Sequence, residues 1–275
     1  VQLEDHAGDI LRKACNMNHI PVSAAARAAG ISEGELAAFQ ETGRSAQKIN
    51  FAALAKVAGL DPQKFADIVN GWQPSPKNLR RWREIRVITS AGEGLTVNCF
   101  LVWDKTTRAA ALFDTGLDAP PVLDIITAEG LALRHIFVTH SHWDHVEALP
   151  KLRAAFPAAQ LHSSSKKAPV SQRNQSGEII RLGDLHIAHR ETPGHAEDGV
   201  TYLIGGWPES APQVAVAGDT IFAGSMGNGN GAWELARQKV RAEILSLPPE
   251  TLICPGHGPL TTVAEERAHN PFFQP

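Results

Sequence analysis

Apolar and polar residues follow two different rhythms along this chain, and the change falls close to residue 73. Before it the pattern is Ala-rich and helical throughout. After it come short apolar or alternating runs that read as strands: Ile85-Arg86-Val87-Ile88, Val97 to Trp103, Ala109 to Phe113, Ile136-Phe137-Val138, Leu185 to His189, Val214 to Ala217 and Thr251 to Cys254. Val146 to Phe156 places apolar residues at Val146, Leu149, Leu152 and Phe156, the spacing of one helix face. Pro74, Ser75 and Pro76 interrupt the helical pattern within a seam from Trp72 to Trp82. Two domains are therefore expected: a helical module over residues 1–73, a linker over 74–84, and a mixed α/β domain over 85–275.

The helical part carries a weak internal repeat at an offset of 29 residues, which pairs Ala26 with Ala55, Gly30 with Gly59, Ser32 with Asp61 and Leu36 with Phe65. Each copy predicts a short helix, a Gly turn, and a second helix opened by Ser32 or Asp61 as N-cap. Val22 to Ala29 and Ser32 to Gln40 thus resemble the paired helices of Cro/repressor-type DNA-binding folds. A recognition helix needs Arg, Lys, Asn or Gln in a basic setting. Here the second helix carries Glu33, Glu35 and Glu41, and residues 1–80 hold nine Lys/Arg against eight Asp/Glu. That near balance argues against nucleic acid and for a module that dimerises or covers the other domain.

Composition narrows the setting without changing it. The chain has 275 residues, 43% hydrophobic and 20% charged, with a formal net charge of −3. These values describe an ordinary globular protein and give no electrostatic case for DNA or an anionic membrane. No apolar stretch approaches eighteen residues, and the first twenty lack an apolar signal segment, so neither a spanning helix nor a membrane partner is expected and the cytoplasm is the expected location. Cys15, Cys99 and Cys254 form no C-x-x-C pair and read as reduced, buried thiols.

The chemistry concentrates where the strand-like runs end. Thr139-His140-Ser141-His142-Trp143-Asp144-His145 places three imidazoles and a carboxylate in six consecutive residues after an apolar strand. Packing does not call for this, and imidazole with carboxylate is the ligand chemistry of zinc and similar metals. Four ligands this close exceed one tetrahedral site's local share and suggest two metals. Thr192-Pro193-Gly194-His195, Gly218-Asp219-Thr220 and Pro255-Gly256-His257-Gly258 each end a strand with a turn residue and one potential ligand. Loops at strand ends are where a rigid scaffold can aim such groups.

In order, H-x-H-x-D-H, T-P-G-H, G-D-T and P-G-H-G-P resemble the metallo-β-lactamase superfamily, nearest to its glyoxalase II-like (hydroxyacylglutathione hydrolase-like) branch. The turn Asp114-Thr115-Gly116, the segment Gly218 to Gly227 and the closing stretch Leu247 to Phe272 extend the resemblance over about residues 85–275. It implies an αβ/βα sandwich preceded here by the small all-α domain. It also implies one metal on His140, His142 and His195, a second on Asp144, His145 and His257, and Asp219 bridging both. The cofactors implied are two zinc ions, with iron or manganese as alternatives. A hydroxide shared by the metals would attack an ester-type carbonyl, with Asp144 as ligand and catalytic orienting group.

The expected reaction is hydrolysis of a small-molecule thioester or related ester. A persulfide dioxygenase-like enzyme with one iron, a lactonase or β-lactamase, and a DNA-binding sensor of metal or ligand are the alternatives. The substrate-side candidates are Trp143, Phe222 and Met226 as an apolar wall, Glu147 as a carboxylate near the pocket, Lys166, Lys167 and Arg173 as a clamp for an anion, and Tyr202 as a hydrogen-bond donor.

Overall fold

The computed structural model describes residues 2–92 and 94–274. Five helices open the chain: α1 (Ala7–Met17), α2 (Val22–Ala29), α3 (Glu33–Thr42), α4 (Phe51–Ala58) and α5 (Pro62–Val69). The repeat is realised in their caps. Gly30 and Gly59 close α2 and α4 in the left-handed conformation, with φ of 75° and 77°, where a side chain would be strained. Ser32 and Asp61 accept backbone N–H groups at the starts of α3 and α5.

Two sheets follow. The first contains β1 (Ile85–Gly92), β2 (Leu95–Trp103), β3 (Ala109–Phe113), β4 (Ala132–Phe137) and β5 (Gln160–His162), in the order β1-β2-β3-β4-β5. The second contains β6 (Ile180–Leu182), β7 (Leu185–Glu191), β8 (Val200–Gly205), β9 (Val214–Gly218), β10 (Leu252–Pro255) and β11 (Thr261–Thr262), in the order β11-β10-β9-β8-β7-β6. Strand alternation sorts side chains between faces. In β2, Phe100 and Val102 enter the core between the sheets, whereas Cys99, Leu101 and Trp103 face outward. In β9, Val214 and Val216 point inward and Ala215 and Ala217 outward.

Each outer face is covered by helices, which completes the four layers. On the first sheet lie α6 (Pro120–Ala128) and α8 (Leu149–Ala155), through Val122, Ile126 and Leu152. On the second lie α9 (Trp233–Lys239), the π-helical turn Val240–Ile244 that continues it, and α10 (Val263–His269). The helix expected over Val146 to Phe156 is divided. A short α7 (Trp143–Val146) ends before Glu147, and α8 restarts at Leu149, with Pro150 in its first turn where the missing N–H costs nothing.

The N-terminal helices add to the outer layer of the second sheet. One apolar cluster runs from Ile10, Leu11, Leu36, Leu54 and Phe65 into Ala217, Met226, Val240, Ile244 and Phe273. Polar ties accompany it: Asp61 N–H donates to the Pro271 carbonyl (2.8 Å) and Lys64 Nζ to the Arg267 carbonyl (2.7 Å). The seam is fastened too. Ser75 N–H donates to Glu265 Oε1 (2.9 Å), Lys77 pairs with Glu265, and Trp82 is buried against the inter-sheet core, with its indole N–H on the Pro212 carbonyl (2.7 Å).

Candidate metal centre

The ligand-type side chains come from loops at one end of both sheets. Beyond β4, the Phe137 carbonyl accepts from Asp114 N–H (2.8 Å), and Val200 N–H donates to the Thr139 carbonyl (2.9 Å), so the loop carrying His140 is tied to both sheets. A register shift at Cys254/Pro255 sets Pro255 opposite Gly218, and Gly256 N–H donates to the Gly218 carbonyl (2.9 Å). This brings His257 beside Asp219. A Cβ on Gly256 would fall 2.3 Å from Asp219 Oδ1 and 2.6 Å from His145 Cε1, so only glycine lets that loop approach.

Three groups of donor atoms result, each lying within 4.8 Å of one another: His140, His142 and His195; His140, His145 and Asp219; and Asp144, His145 and His257. His142 Nδ1 lies 3.0 Å from both His140 Nε2 and His195 Nε2. Asp219 spans the two ends, with Oδ1 3.2 Å from His145 Nε2 and Oδ2 3.5 Å from His195 Nε2 and 3.4 Å from His257 Nε2. Asp144 Oδ2 lies 3.2 Å from His257 Nε2.

Neighbours fix which ring nitrogen faces inward. His195 Nδ1 meets the Asn228 carbonyl at 2.9 Å, and His257 Nδ1 meets the Thr96 carbonyl. A carbonyl only accepts, so both rings donate from Nδ1 and, when neutral, turn an Nε2 lone pair to the centre. Asp114 Oδ2 does the same for His145 Nδ1 (2.8 Å) and also accepts from the Thr139 hydroxyl (2.8 Å), which leaves the Thr139 oxygen to accept from His140 Nδ1 (3.1 Å). His142 Nδ1 therefore faces two lone pairs and has at most one proton to offer. His145 Nε2 and Asp219 Oδ1 are buried without any hydrogen-bond partner among the described residues.

Charge points the same way. Burial would raise the Asp219 carboxyl, but the positive charges of His145 and His257 hold it well below the usual carboxylate range. Burial opposes protonation of His145 and His257. The carboxylates of Asp114 and Asp219 nevertheless hold His145 up to about 10, and those of Asp144 and Asp219 hold His257 up to about 11. His140 is pushed well below its ordinary value by burial and by the positive charge on His145. Buried carboxylates thus demand nearby positive charge while lone pairs converge, a donor set that fits divalent cations, whose binding releases protons.

The pattern of these segments decides the family. The family pattern of the metallo-beta-lactamase superfamily matches residues 92–257. The chain belongs to that superfamily. Within the superfamily, it is 29% identical to the hydroxyacylglutathione hydrolase GloC of Haemophilus influenzae over 64% of this chain and 92% of that one. It is 34% identical to a hydroxyacylglutathione hydrolase of Methylobacterium sp. over 63% of this chain and 66% of that one. Among solved structures, ETHE1 from Myxococcus xanthus superposes with a TM-score of 0.58 at 29% identity, over 68% of this chain and 83% of that one. A di-iron-bound form of TTHA1623 superposes with a TM-score of 0.55 at 29% identity, over 68% and 100%. These likenesses place this superfamily member in the hydroxyacylglutathione hydrolase-like branch, as a hydrolase.

The substrate-side candidates of this metallo-beta-lactamase superfamily chain fare unequally. Lys166 and Lys167 line a cavity of about 340 Å³ with His142, His195, Ser164 and Asp198. Trp143 is 46% exposed on α7, and Phe222 packs edge-on against His257 (5.8 Å between ring centroids). Three candidates go elsewhere. Tyr202 is buried between the sheets beside Phe113 and Phe137, its hydroxyl on the Val138 carbonyl (3.1 Å), because its position in β8 faces the core. Met226 is fully buried toward the N-terminal helices. Arg173 folds back on the Ala168 and Lys166 carbonyls and lines a different cavity. Glu147 is exposed at the end of α7.

Proposed function

We propose that the chain is a two-metal hydrolase acting on a thioester or related ester of a small acyl group, the class for which its hydroxyacylglutathione hydrolase relatives are named. The observation that carries this reading is the two donor trios, His140, His142 and His195 and Asp144, His145 and His257, with Asp219 lying between them. In it, His140, His142 and His195 hold one metal, and Asp144, His145 and His257 the other. Zinc is the expected metal, with iron or manganese next.

Two divalent cations there supply water of lowered pKa and a Lewis acid for the substrate carbonyl. The side chains do the rest. Asp144 would both help to hold one metal and, as a carboxylate acceptor, orient the attacking water. Asp114 and the Asn228 and Thr96 carbonyls keep the imidazole lone pairs aimed inward. In the cavity beside His142 and His195, Lys167 offers a cation to a carboxylate on the substrate, while Lys166 is already paired with Glu197. Water is held off from one side by Phe222 against His257.

The test is metal content of protein prepared without added metal, together with turnover of glutathione and coenzyme A thioesters. About two metals per chain and thioester cleavage are expected, with Asp219→Ala losing both metals and activity. About one iron per chain with dioxygen consumption would replace this reading by an oxygenase.

A further inference from the structure

We propose that the N-terminal helical module positions His195: Asp5 and Lys13 clamp the segment Phe222–Asn228, and through the Asn228 carbonyl they hold the imidazole in register. This rests on the two-metal reading above and assigns a part in it to residues that precede the matched family region.

The clamp is a chain of buried and half-buried contacts. Asp5, 7% exposed, accepts at Oδ2 from the Ser225 hydroxyl (2.5 Å) and from Lys13 Nζ (2.5 Å). Lys13 in turn donates to the Met226 carbonyl (2.9 Å) and lies 5.2 Å from the centre of the Phe222 ring, which packs on His257. Ile68 and Trp72 press on the same segment, for a Cβ on Gly224 would fall 2.7 Å from Ile68 Cδ1 and 3.0 Å from Trp72 Cζ3. From the other side, Gly224 N–H donates to Glu266 (3.0 Å) and Asn270 Nδ2 to the Ser225 carbonyl (2.8 Å).

What the segment holds lies two residues further on. Asn228 offers its carbonyl to His195 Nδ1 (2.9 Å), and Asn230 Nδ2 donates to the His195 carbonyl (2.9 Å). A Cβ on Gly227 would fall 3.0 Å from His195 Nδ1, so a small shift of this segment moves the imidazole's partner directly. A partner on the far ring nitrogen sets a ligand's tautomer and aim, and its loss costs metal affinity. Removing the Asp5 charge strands Lys13 and frees Ser225, which loosens the loop at its buried end. Asp5 and Lys13 are positioning residues, because they reach His195 only through the Phe222–Asn228 segment.

The test uses the full chain loaded with cobalt(II), a probe whose ligand-field absorption reports coordination geometry. Metals are removed with a competing chelator, and His195→Ala identifies the release step that belongs to the His140, His142 and His195 group. For Asp5→Asn and Lys13→Met, the dissociation constant of that step should rise about tenfold, with a changed cobalt spectrum, while the other step stays within about twofold. Leu54→Ala, a cavity in the module's core away from the clamp, should lower the unfolding temperature and leave both steps alone. The proposal is overturned by an unchanged dissociation constant in Asp5→Asn and Lys13→Met, or by an equal rise in Leu54→Ala. A wild-type chain that binds fewer than two cobalt ions overturns the two-metal reading, and this proposal with it, before any variant is compared.

Discussion

At the scale of single residues, Asp114 carries more of the site's geometry than its position in a turn suggests. It takes a left-handed backbone, with φ of 56°, and its two oxygens accept from Thr139 N–H, the Thr139 hydroxyl and His145 Nδ1. Asparagine tolerates that backbone. Asp114→Asn should therefore keep the fold, with its one amide oxygen held by Thr139 N–H; the NH2 group then faces His145 Nδ1 and donates to it, so the imidazole proton moves to Nε2, the nitrogen that faces the centre. Metal affinity should fall about 10- to 100-fold, read by chelator competition with the far-ultraviolet circular dichroism unchanged. Undiminished affinity would mean that other contacts orient His145. The imidazoles and carboxylates themselves were legible in the sequence, because no packing demand explains them at strand ends. Asp114 was visible only as a turn residue. The Thr96 and Asn228 carbonyls had no signal at all, since every residue carries one. Nearness in sequence to His195 and Asp219 points Tyr202 and Met226 toward the site, although strand alternation and a turn of the loop send both into the core.

At the scale of elements, local rules were the readable part. Gly30, Gly59, Ser32 and Asp61 announce the helix ends, and the seven strands that apolar runs predict lie within a few residues of those runs, whereas β5, β6, β8 and β11 are not among them. The split between α7 and α8 was hidden because apolar spacing runs through it, while Pro150 fits a new first turn as readily as it breaks an old one. Helix α10 carries a consequence for stability. Burial pushes the Glu266 carboxyl up to about 7, despite hydrogen bonds from Thr261, Asn270 and the Gly224 N–H. Between the ordinary carboxylate range and about pH 7, the folded chain therefore binds one more proton at this position than the unfolded chain. Its contribution to stability falls as pH rises through that window and is level above it. The fall amounts to roughly 3 kcal/mol. Urea unfolding at pH 5 and pH 8 should show a smaller loss in Glu266→Gln than in wild type, because glutamine has no proton to give up. Equal losses in the two proteins would mean that Glu266 is ionised in the fold across the whole range.

At the scale of the whole molecule, the seam of Pro74, Ser75 and Pro76 suggests two units, and the near-balanced charge of the first favours one that dimerises or covers the other without saying which. Composition cannot show what lies opposite a helix. Here Ile10, Leu54, Phe65 and Ile68 share one apolar cluster with Ile221, Met226, Ile244 and Phe273, and the seam is pinned by Glu265 and by buried Trp82. Independence requires that each part keep its own core. The outer face of the second sheet instead borrows part of its cover from the module. Calorimetry of the intact chain should therefore give one cooperative transition, with calorimetric and van't Hoff enthalpies in agreement. Removal of residues 1–80 should expose Ile221, Met226, Ile244 and Phe273, produce a protein that binds hydrophobic dyes, and weaken the metal proposed at His195 through the freed Phe222–Asn228 segment. Two separate transitions in the intact chain, together with a truncated form that is monomeric and binds metal at full strength, would show that the shared cluster is a docking surface between finished domains and not a common core.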